Sequence, residues 1–430
     1  MTFRKFAPWH CAFNWRGPLI NMGRRLISAL ICTSALLTHA LPPPCPVAVP
    51  VGNDAASKSQ SRPAEHQSSV LAAWQRNVSE AKTRPVNIVV LGDSIACCFG
   101  PADYENIWTN VLRQAEALRY RDHGSGVIPI GDDFGLSTNP QWSLHPQGGS
   151  IDTVPFGPYQ AAKGAFGSVF RLKGDAQVTV LLPVRPADGI TLYYASGTDS
   201  KAGIRVSYDD QSSVTVGQQN SPTLKAQRAD IPLDGTGSST VSFSAASTSG
   251  SAYIYGVEFT YGTAGVSLHN LAHGYARTEA WGGDPASQMA FLSQIRGGIQ
   301  LAIVSLGIND SINGTGTTLS EYKDHMAAII TYLRSLDAAM PIVLFDEIPT
   351  VLGDSATTLP QSAVRAQEQL LATEFGVGYV SPCTSFGTPA EAIDRGYFSR
   401  DNLHPSDLGN RRIATVIEEY LQSTTVDRVP

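Results

Sequence analysis

The sequence predicts an α/β protein: a doubly wound parallel sheet into which an all-β sandwich module is inserted. Two observations predict the sheet, namely short apolar runs that end at glycine or polar turns, and helical spacings of apolar residues that follow them. A third observation predicts the module, because about 115 residues between the first two runs carry strand and turn patterns with almost no helix pattern.

The composition indicates a globular protein with a sizeable core. The chain has 430 residues, of which 42% are hydrophobic and 16% are charged, and this length predicts two or three domains. Lys and Arg number 31 against 37 Asp and Glu, which gives a net charge of −6. Because nucleic-acid-binding proteins usually carry a basic surplus, we expect no nucleic-acid partner.

Residues 1–40 have the pattern of a secretory signal peptide. Arg24 and Arg25 precede the apolar run Leu26–Leu37, and small residues follow it. Met22 is the expected start, because the residues before it do not look like the basic region of a signal. The run is short for a membrane span of about 20 residues, although an uncleaved anchor is the alternative. We therefore expect a secreted or periplasmic protein, with association with the cell envelope left open.

The cysteines indicate no metal site. Four of them follow the expected signal peptide: Cys45, Cys97, Cys98 and Cys383. Cys97 and Cys98 are adjacent and lack the gap of a Cys-x-x-Cys site, so no metal is predicted. In an oxidising compartment one of this pair could bond Cys45 or Cys383, whereas the alternative is that these cysteines are small buried hydrophobes.

The α/β domain is predicted in two parts, residues 85–147 and 264–430, after a Pro/Ser-rich linker and N-terminal helix over residues 41–84. Its strands are Val86–Leu91, Leu301–Leu306, Pro341–Phe345 and Val377–Val380. The predicted helices are Val70–Thr83, Asn106–Arg121, one from the capping box of Thr318 and Glu321 to Leu336, Gln361–Phe375 and Leu408–Leu421. Alternation of strands and helices is typical of a parallel sheet.

Residues 148–263 form the predicted β-sandwich module. Its strand runs are Gln177–Leu182, Ile190–Tyr194, Ile204–Tyr208, Val241–Phe243 and Tyr253–Tyr261. The tyrosines on these runs could stack on sugar rings: Tyr193, Tyr194, Tyr208, Tyr253, Tyr255 and Tyr261. The alternative, favoured by the usual position of aromatic residues in sheets, is that most of them fill the core. The module could equally be a structural lid.

Two polar motifs follow predicted strands, at the edge where open α/β sheets bind ligands. Gly92-Asp93-Ser94 follows the first strand, and a serine there can act as a nucleophile when a base is near. Gly307-Ile308-Asn309-Asp310 follows the second strand, and the Asn309 amide could donate to an oxyanion. An ordinary Asx turn is the plainer interpretation of the second motif.

A third motif, Asp401-Asn402-Leu403-His404, precedes the last predicted helix. The carboxylate of Asp401 can orient the imidazole of His404, whose other nitrogen then takes the proton of a serine hydroxyl. A helix N-cap beside an exposed histidine is the alternative. The order of the three motifs along the chain favours catalysis. A second Gly-Asp-Ser at residues 353–355 lies in a polar loop and is interpreted as a chance match.

These motifs, in this order, resemble the signature blocks of the SGNH, or GDSL-type, esterase superfamily over residues 85–130 and 264–425. The resemblance implies an SGNH-hydrolase fold, with a flavodoxin-like arrangement in three layers, and no cofactor. It also implies four roles: Ser94 as nucleophile and oxyanion amide, His404 as general base, Asp401 as its orienting partner, and Asn309 as a side-chain oxyanion donor.

The family also has a glycine block that supplies a second oxyanion amide. The matching stretch is Val266–Ala276, in which Gly274 is the best candidate and the Tyr275 amide is the alternative. Further substrate contacts are expected from this block and from the other two motifs: His273, Asp93 and Asp310. His269 could also contact substrate, although local hydrogen bonding is the favoured interpretation for both histidines.

An inserted β module, together with Asp122–Pro129, resembles exported SGNH esterases that act on polysaccharides, including peptidoglycan O-acetylesterases. We therefore expect a secreted serine esterase that hydrolyses O-acetyl esters on a carbohydrate through an acyl-enzyme. Its expected partner is a small ester or an acetylated polysaccharide. The alternatives are a lipase or aryl-esterase of the same fold, and a non-catalytic carbohydrate-binding envelope protein. The presence of all three polar motifs argues against the last.

Overall fold

The computed structural model describes residues 57–97, 99–101, 104–129, 144–147, 150–153, 170–181, 187–196, 203–208, 212–217, 225–233, 240–247, 250–312, 316–354 and 359–423. All of them fall within one compact unit, Pro43–Pro430. The predicted signal peptide lies outside the described residues, as does the first part of the predicted linker. Within the described ranges, we find no helix with the length and apolar character needed to cross a membrane.

The helices and strands have the following bounds, in chain order. The helices are α1 (Ser57–Ser79), α2 (Ser94–Cys97), α3 (Trp108–Tyr120), α4 (Thr278–Gly282), α5 (Pro285–Gln288), α6 (Ile308–Ser311), α7 (Leu319–Leu336), α8 (Val351–Asp354), α9 (Gln361–Phe375), α10 (Cys383–Phe386), α11 (Pro389–Asp394) and α12 (Asp407–Gln422). Short 3₁₀ turns cover Glu80–Lys82, Tyr104–Asn106 and Ala290–Gln294. The strands are β1 (Pro85–Gly92), β2 (Gly124–Pro129), β3 (Leu144–Gln147), β4 (Ser150–Thr153), β5 (Phe170–Lys173), β6 (Gln177–Leu181), β7 (Gly189–Ser196), β8 (Ile204–Tyr208), β9 (Ser212–Val216), β10 (Lys225–Pro232), β11 (Thr240–Ala245), β12 (Ser251–Thr260), β13 (Gly265–Asn270), β14 (Leu301–Ser305), β15 (Ile342–Phe345) and β16 (Gly378–Val380).

A parallel sheet forms the α/β part, which confirms the predicted fold class. Its strand order is β13-β1-β14-β15-β16, and every neighbouring pair is parallel. Counted along the chain, this is the flavodoxin-like order 2-1-3-4-5, whose switch point lies between the first and third strands. Those two strands are β1 and β14, so the residues that follow them meet at the position where such sheets bind ligands.

Side chains of β1, an inner strand of this sheet, alternate between two apolar cores. Val89 and Leu91 of β1 belong to the core that α7 and α9 cover, whereas Ile88 and Val90 belong to the core covered by α1, α3 and α12. Successive residues of a strand point to opposite faces of the sheet, so a strand buried on both faces is apolar throughout. This explains why β1, β14 and β15 are visible in the sequence as continuous apolar runs, and it gives the predicted three layers.

The strand β13 was not predicted, although it pairs with β1 along its whole length. Its sequence includes Ser267 and His269, which break the apolar pattern although both are fully buried. Within the core, His269 Nε2 lies 3.2 Å from Asn87 Oδ1, and Val127 N–H donates to His269 Nδ1 at 3.3 Å. These hydrogen bonds satisfy the buried His269 ring. A hydropathy pattern counts such a residue as exposed, so it does not predict a buried strand here.

Most other predicted elements agree with the structure to within a few residues. The helix α9 has the predicted bounds, and α7 begins with the predicted capping box, in which Thr318 accepts from Glu321 N–H at 3.2 Å. The first helix begins at Ser57 rather than at Val70, so part of the segment predicted as linker is helical. Its early turns are polar and carry no apolar periodicity, which is the signal on which the prediction relied.

The all-β insertion consists of two antiparallel sheets. One has the order β10-β7-β12-β5-β4 with β2 also paired to β12, and the other has the order β3-β6-β11-β8-β9. The prediction of an inserted β module is therefore confirmed. Two of its strands, β2 and β3, lie within residues 85–147, which the sequence assigns to the α/β part. The strand β2 joins the module because it pairs with β12, a long strand that is buried throughout.

The module packs on the α/β part through tyrosines that are among the candidates for sugar stacking. Tyr193, Tyr253 and Tyr255 are at most 1% exposed. They belong to the apolar core that α7 and α9 cover. The Tyr193 ring meets Phe291 edge-on at 4.7 Å. Tyr194 and Tyr261 are also buried, in the core between the two antiparallel sheets. The core interpretation therefore holds for these five residues, and none of them offers a face to a ligand.

Candidate active site

Ser94 is held at the tip of β1 by a sharp turn into the short helix α2. A Cβ atom on Gly92 would lie 2.8 Å from Ala96 Cβ and 3.1 Å from Ser305 O, so the turn requires glycine there. Ser94 is the first residue of α2 and is 6% exposed. Its backbone N–H has no acceptor among the described residues, as expected for the first turn of a helix.

His404 and Asp401 are brought together by a tight loop ahead of α12. His404 Nδ1 lies 2.6 Å from Asp401 Oδ2, and the backbone N–H of His404 donates to Asp401 Oδ1 at 2.9 Å. Between them Asn402 has φ of 55°, in the left-handed region that asparagine tolerates better than most residues. The loop thus holds the carboxylate against one nitrogen of the imidazole.

The other imidazole nitrogen reaches the serine. His404 Nε2 lies 3.0 Å from Ser94 Oγ, although the two residues are 310 positions apart in the chain. Because Asp401 is ionised, the proton of a neutral His404 ring sits on Nδ1, which leaves the Nε2 lone pair to accept the Ser94 hydroxyl proton. The fold therefore assembles a serine, a histidine and an aspartate in one chain of hydrogen bonds.

Hydrogen bonds keep the carboxylate of Asp401 charged. Partial burial acts to raise its pKa, but donors from His404, Leu403 N–H and Ser399 Oγ outweigh it and hold the pKa well below the usual value. Ser399 Oγ donates at 2.7 Å and Leu403 N–H at 3.0 Å, both to Oδ1.

Asn309 lies on α6, directly beyond the end of β14, and is 8% exposed. Its side-chain nitrogen Nδ2 donates to Asp93 Oδ2 at 3.0 Å and to Ala276 O at 3.0 Å. Both amide protons thus have protein acceptors, and a substrate oxyanion would have to share one of them in a bifurcated bond. The structure brings Asn309 to the predicted edge of the sheet, beside the residue that precedes Ser94.

Asp93 and Glu347 form a buried carboxyl pair beneath this site. They hydrogen-bond to each other, and Glu347 Oε2 also accepts a short bond from Ile308 N–H, at the start of α6. Glu347 Oε1 has no N–H or O–H donor among the described residues, so the proton in the pair belongs to a carboxyl group. Two carboxylates in contact in a dry interior cannot both ionise.

Burial favours the protonated form of both carboxyl groups in this pair. Burial raises the pKa of Asp93 to about 7, although the Ile95 N–H and the other donors oppose the shift. Burial and the neighbouring Asp93 charge raise the pKa of Glu347 well above its usual value. Sequence reasoning missed Glu347, because its contact with Asp93 depends on the arrangement of three strands and leaves no local pattern.

Gly274 and Tyr275 lie in the turn that follows β13. A Cβ on Gly274 would lie 3.0 Å from the Phe99 ring, so glycine allows the ring to approach the backbone. In the described part of the chain, neither the Gly274 N–H nor the Tyr275 N–H has an acceptor. Tyr275 has φ of 62° although it is not glycine. The turn leaves two backbone donors beside the serine loop, as the oxyanion prediction requires.

The predicted substrate contacts of Asp93 and Asp310 are not supported by this geometry. Asp93 is 0% exposed and Asp310 is 1% exposed. Asp310 accepts from Thr278 Oγ1 at 2.8 Å and from Thr278 N–H at 3.0 Å, at the start of α4. Both carboxyl groups therefore hold parts of the protein together and do not face a ligand.

The two histidines of the glycine block, His269 and His273, contact neighbouring protein groups. His273 Nδ1 lies 3.2 Å from Gly274 O, and its ring lies 5.4 Å from Trp281. Burial lowers the pKa of His273, and it lowers the pKa of His269 to about 3. His273 is half-buried and stays a predicted substrate contact, whereas His269 is fully buried in the core and cannot reach a ligand.

No group of three or more His, Cys, Asp and Glu side chains in the described ranges is arranged to hold a metal ion. Cys97, at the end of α2, and Cys383, at the start of α10, are each disulfide-bonded. The interpretation of these two residues as plain buried hydrophobes is therefore wrong. Cys97 closes the helix that begins with Ser94.

Comparison with known proteins finds a family model that matches part of the chain. Residues 234–412 match the GDSL-like lipase/acylhydrolase family, a stretch that includes Asn309, Asp401 and His404 but not Ser94. The resemblance to the SGNH, or GDSL-type, esterases is confirmed. No curated protein matches the sequence significantly.

Several solved structures resemble this chain at low sequence identity. A peptidoglycan O-acetylesterase superposes with a TM-score of 0.64 and 15% identity, over 84% of this chain and 97% of that one. A Bacillus subtilis protein matches with a TM-score of 0.34 and 14% identity, over 67% and 91% of the two chains. A family two carbohydrate esterase from Cellvibrio japonicus matches with a TM-score of 0.28 and 12% identity, over 66% and 98%. The first of these likenesses establishes a shared fold.

Proposed function

We propose that this protein is an exported serine esterase that removes O-acetyl groups from a carbohydrate through an acyl-enzyme. One observation carries the esterase part of the proposal: Ser94 Oγ lies 3.0 Å from His404 Nε2, while His404 Nδ1 lies 2.6 Å from Asp401 Oδ2. A hydroxyl becomes a useful nucleophile only when a base takes its proton, and this arrangement supplies that base.

Acylation begins when the Ser94 oxygen attacks the ester carbonyl. His404 Nε2 takes the hydroxyl proton as the C–O bond forms, and Asp401 stabilises the imidazolium that results. The tetrahedral oxyanion lies against the N–H groups of Ser94 and Gly274, with Asn309 as a third donor. When the intermediate collapses, the ester C–O bond breaks and His404 gives the proton to the departing sugar oxygen, which leaves as a hydroxyl.

Deacylation repeats the same proton transfers with water. His404 Nε2 removes a proton from the water that attacks the Ser94 ester, and the same donors hold the second oxyanion. Collapse releases acetate and returns the proton to Ser94 Oγ. Each preorganised oxyanion donor of this kind contributes on the order of 2.7–4 kcal/mol in the serine proteases where it has been removed.

Three observations support an exported, carbohydrate-directed enzyme. The basic and apolar pattern of residues 1–40 is typical of a signal peptide. The disulfide-bonded state of Cys97 and Cys383 fits an oxidising compartment. The fold is similar to that of a peptidoglycan O-acetylesterase over 84% of this chain.

The esterase proposal is tested with purified protein and p-nitrophenyl acetate. We expect wild-type turnover that Ser94→Ala reduces to the uncatalysed rate, since that variant lacks the attacking oxygen. Ser335→Ala is the matched control, because its exposed hydroxyl donates only to Tyr332 O. Equal rates for wild type and Ser94→Ala would remove the proposal.

The substrate is tested separately, by acetate release from O-acetylated peptidoglycan and from acetylated xylan. We expect release from at least one of them, lost again in Ser94→Ala. If the enzyme hydrolyses the aryl acetate but releases acetate from neither polymer, the carbohydrate part of the proposal is wrong and the esterase part stands.

A further inference from the structure

Tyr275 presents an aromatic ring to solvent at the mouth of the candidate site. It is 80% exposed, whereas the other large apolar side chains with substantial exposure in the described ranges are aliphatic. Its neighbour in the sequence is Gly274, a proposed oxyanion donor. Core packing does not explain this ring, because most of its surface contacts no part of the protein.

The backbone at Tyr275 is unfavourable for a tyrosine. Its φ of 62° lies in the left-handed region, where a side chain other than glycine is strained. Glycine would hold the same turn without that strain. Strained positions that persist next to a reactive group are often functional. The chain thus carries a bulky ring where neither the backbone nor the core requires one.

The ring lies on the side of the site where the leaving group departs. Phe99 stacks on the His404 ring at 5.0 Å between centroids, with 26° between their planes. Tyr275 in turn meets Phe99 edge-on, at 6.1 Å and 67°. In the proposed reaction His404 returns its proton to the leaving oxygen, so the alcohol part of the ester must lie beside His404. The two aromatic rings border that position.

We propose that Tyr275 is a substrate-binding residue whose exposed face stacks on the pyranose ring of the alcohol part of the ester. This inference rests on the proposed esterase function and adds the subsite that recognises the sugar. The C–H bonds on one face of a pyranose are weakly positive, and they complement the negative face of an aromatic ring. The acyl group lies on the opposite side of the reacting carbon and makes no such contact.

The test varies the leaving group while the acyl group stays constant. We compare kcat/KM for a mono-O-acetylated methyl glucopyranoside with kcat/KM for ethyl acetate, in wild type, Tyr275→Ala and Tyr275→Phe. We expect Tyr275→Ala to lower the ratio of these two values about threefold to tenfold, and Tyr275→Phe to keep it, because stacking needs the ring and not the hydroxyl. The ratio of ethyl butyrate to ethyl acetate should be the same in all three proteins.

Leu118→Ala is the control for removing an exposed apolar side chain. Leu118 is 90% exposed near the end of α3 and belongs to none of the three motifs of the candidate site, so its loss should leave both ratios unchanged. Tyr275→Gly separates recognition from folding. We expect its Tm to equal or exceed that of wild type, because the strain is relieved, while the glycoside ratio falls as in Tyr275→Ala.

Three results would overturn the inference. One is an unchanged glycoside ratio in Tyr275→Ala, and another is a change in the acyl-chain ratio instead. The third is a marked fall in the Tm of Tyr275→Gly, which would assign the ring a structural role. A wild-type protein that hydrolyses neither acetate ester would instead contradict the esterase function itself, and this inference with it.

Discussion

Asn309 Nδ2 donates to Asp93 Oδ2 at 3.0 Å, so the asparagine of one strand tip is fixed to the residue that precedes the nucleophile. The same nitrogen donates to Ala276 O at 3.0 Å. These two acceptors fix the plane of the amide before any substrate binds. A donor that is already in place costs no reorganisation when charge develops in the transition state.

Asn309→Ala should lower kcat about 100-fold while KM changes little. The reason is that an oxyanion donor acts on charge that exists only in the transition state. Steady-state kinetics on p-nitrophenyl acetate measure both constants, and the Tm measures any loss of folding. A fall in Tm with a loss in kcat below about threefold would assign Asn309 a purely structural role.

Asp401→Asn should also lower kcat, by about 100-fold or more, because the amide no longer stabilises the imidazolium of His404 or fixes its tautomer. Asp394→Asn is the matched control, since Asp394 is an exposed residue of α11. Kinetics on the same aryl acetate give the comparison. Near-wild-type turnover in Asp401→Asn would show that Asp401 does not orient the base.

Glu347→Gln should make the stability of the protein less dependent on pH. Burial raises the pKa of Asp93 from 3.8 to about 7, and it raises that of Glu347 further above its usual value. Such carboxyl groups bind protons more tightly in the folded state than in the unfolded state. The free energy of unfolding therefore falls as pH rises above about 4, the usual carboxyl pKa. Glutamine can keep both hydrogen bonds but has no proton to lose.

Urea unfolding at pH 5 and pH 8 measures this effect. We expect the loss of stability between the two pH values to be smaller in Glu347→Gln, by about 1 kcal/mol or more, since one pKa unit corresponds to about 1.4 kcal/mol. Glu419→Gln, whose side chain is 59% exposed, should behave like wild type. The same pH dependence in wild type and Glu347→Gln would contradict the buried carboxyl pair.

We predict that Cys97 and Cys383 are bonded to each other, since both are disulfide-bonded and both are buried. A peptide map without reduction should contain a linked pair of peptides that carries these residues. Cys97→Ala should lower the free energy of unfolding by about 2–5 kcal/mol, as should Cys383→Ala, and the double variant should lose no more than either. A peptide that links Cys97 to Cys45 would contradict the pairing.

The sequence predicted those parts of the fold that have a local pattern. The strands β1, β14 and β15 are buried on both faces and therefore read as apolar runs. The contact between Asp401 and His404 could be predicted because the two residues lie only three positions apart in the sequence. By contrast, β13 carries the buried polar residues Ser267 and His269, of which His269 hydrogen-bonds to Asn87, so its burial leaves no apolar pattern.

The missed parts of the site depend on contacts between distant segments. Glu347 reaches Asp93 only because β14 lies between β1 and β15 and brings the ends of all three strands together. The exposure of Tyr275 likewise depends on tertiary structure. Tyr275 lies in the turn that follows β13, and its ring meets edge-on that of Phe99, which comes from a distant part of the sequence. No spacing along the chain reports either arrangement, whereas the residue types alone suggested that Asp93 and Asp310 would face the substrate.

The central claim is that Ser94 is the attacking nucleophile and that His404 activates it. The most direct measurement is the site and rate of covalent modification by phenylmethylsulfonyl fluoride, followed by intact mass and peptide mapping. The account predicts a single adduct on Ser94 that forms much more slowly in His404→Ala and not at all in Ser94→Ala. A protein that hydrolyses p-nitrophenyl acetate but carries its adduct on another residue, or reacts equally fast without His404, would contradict it.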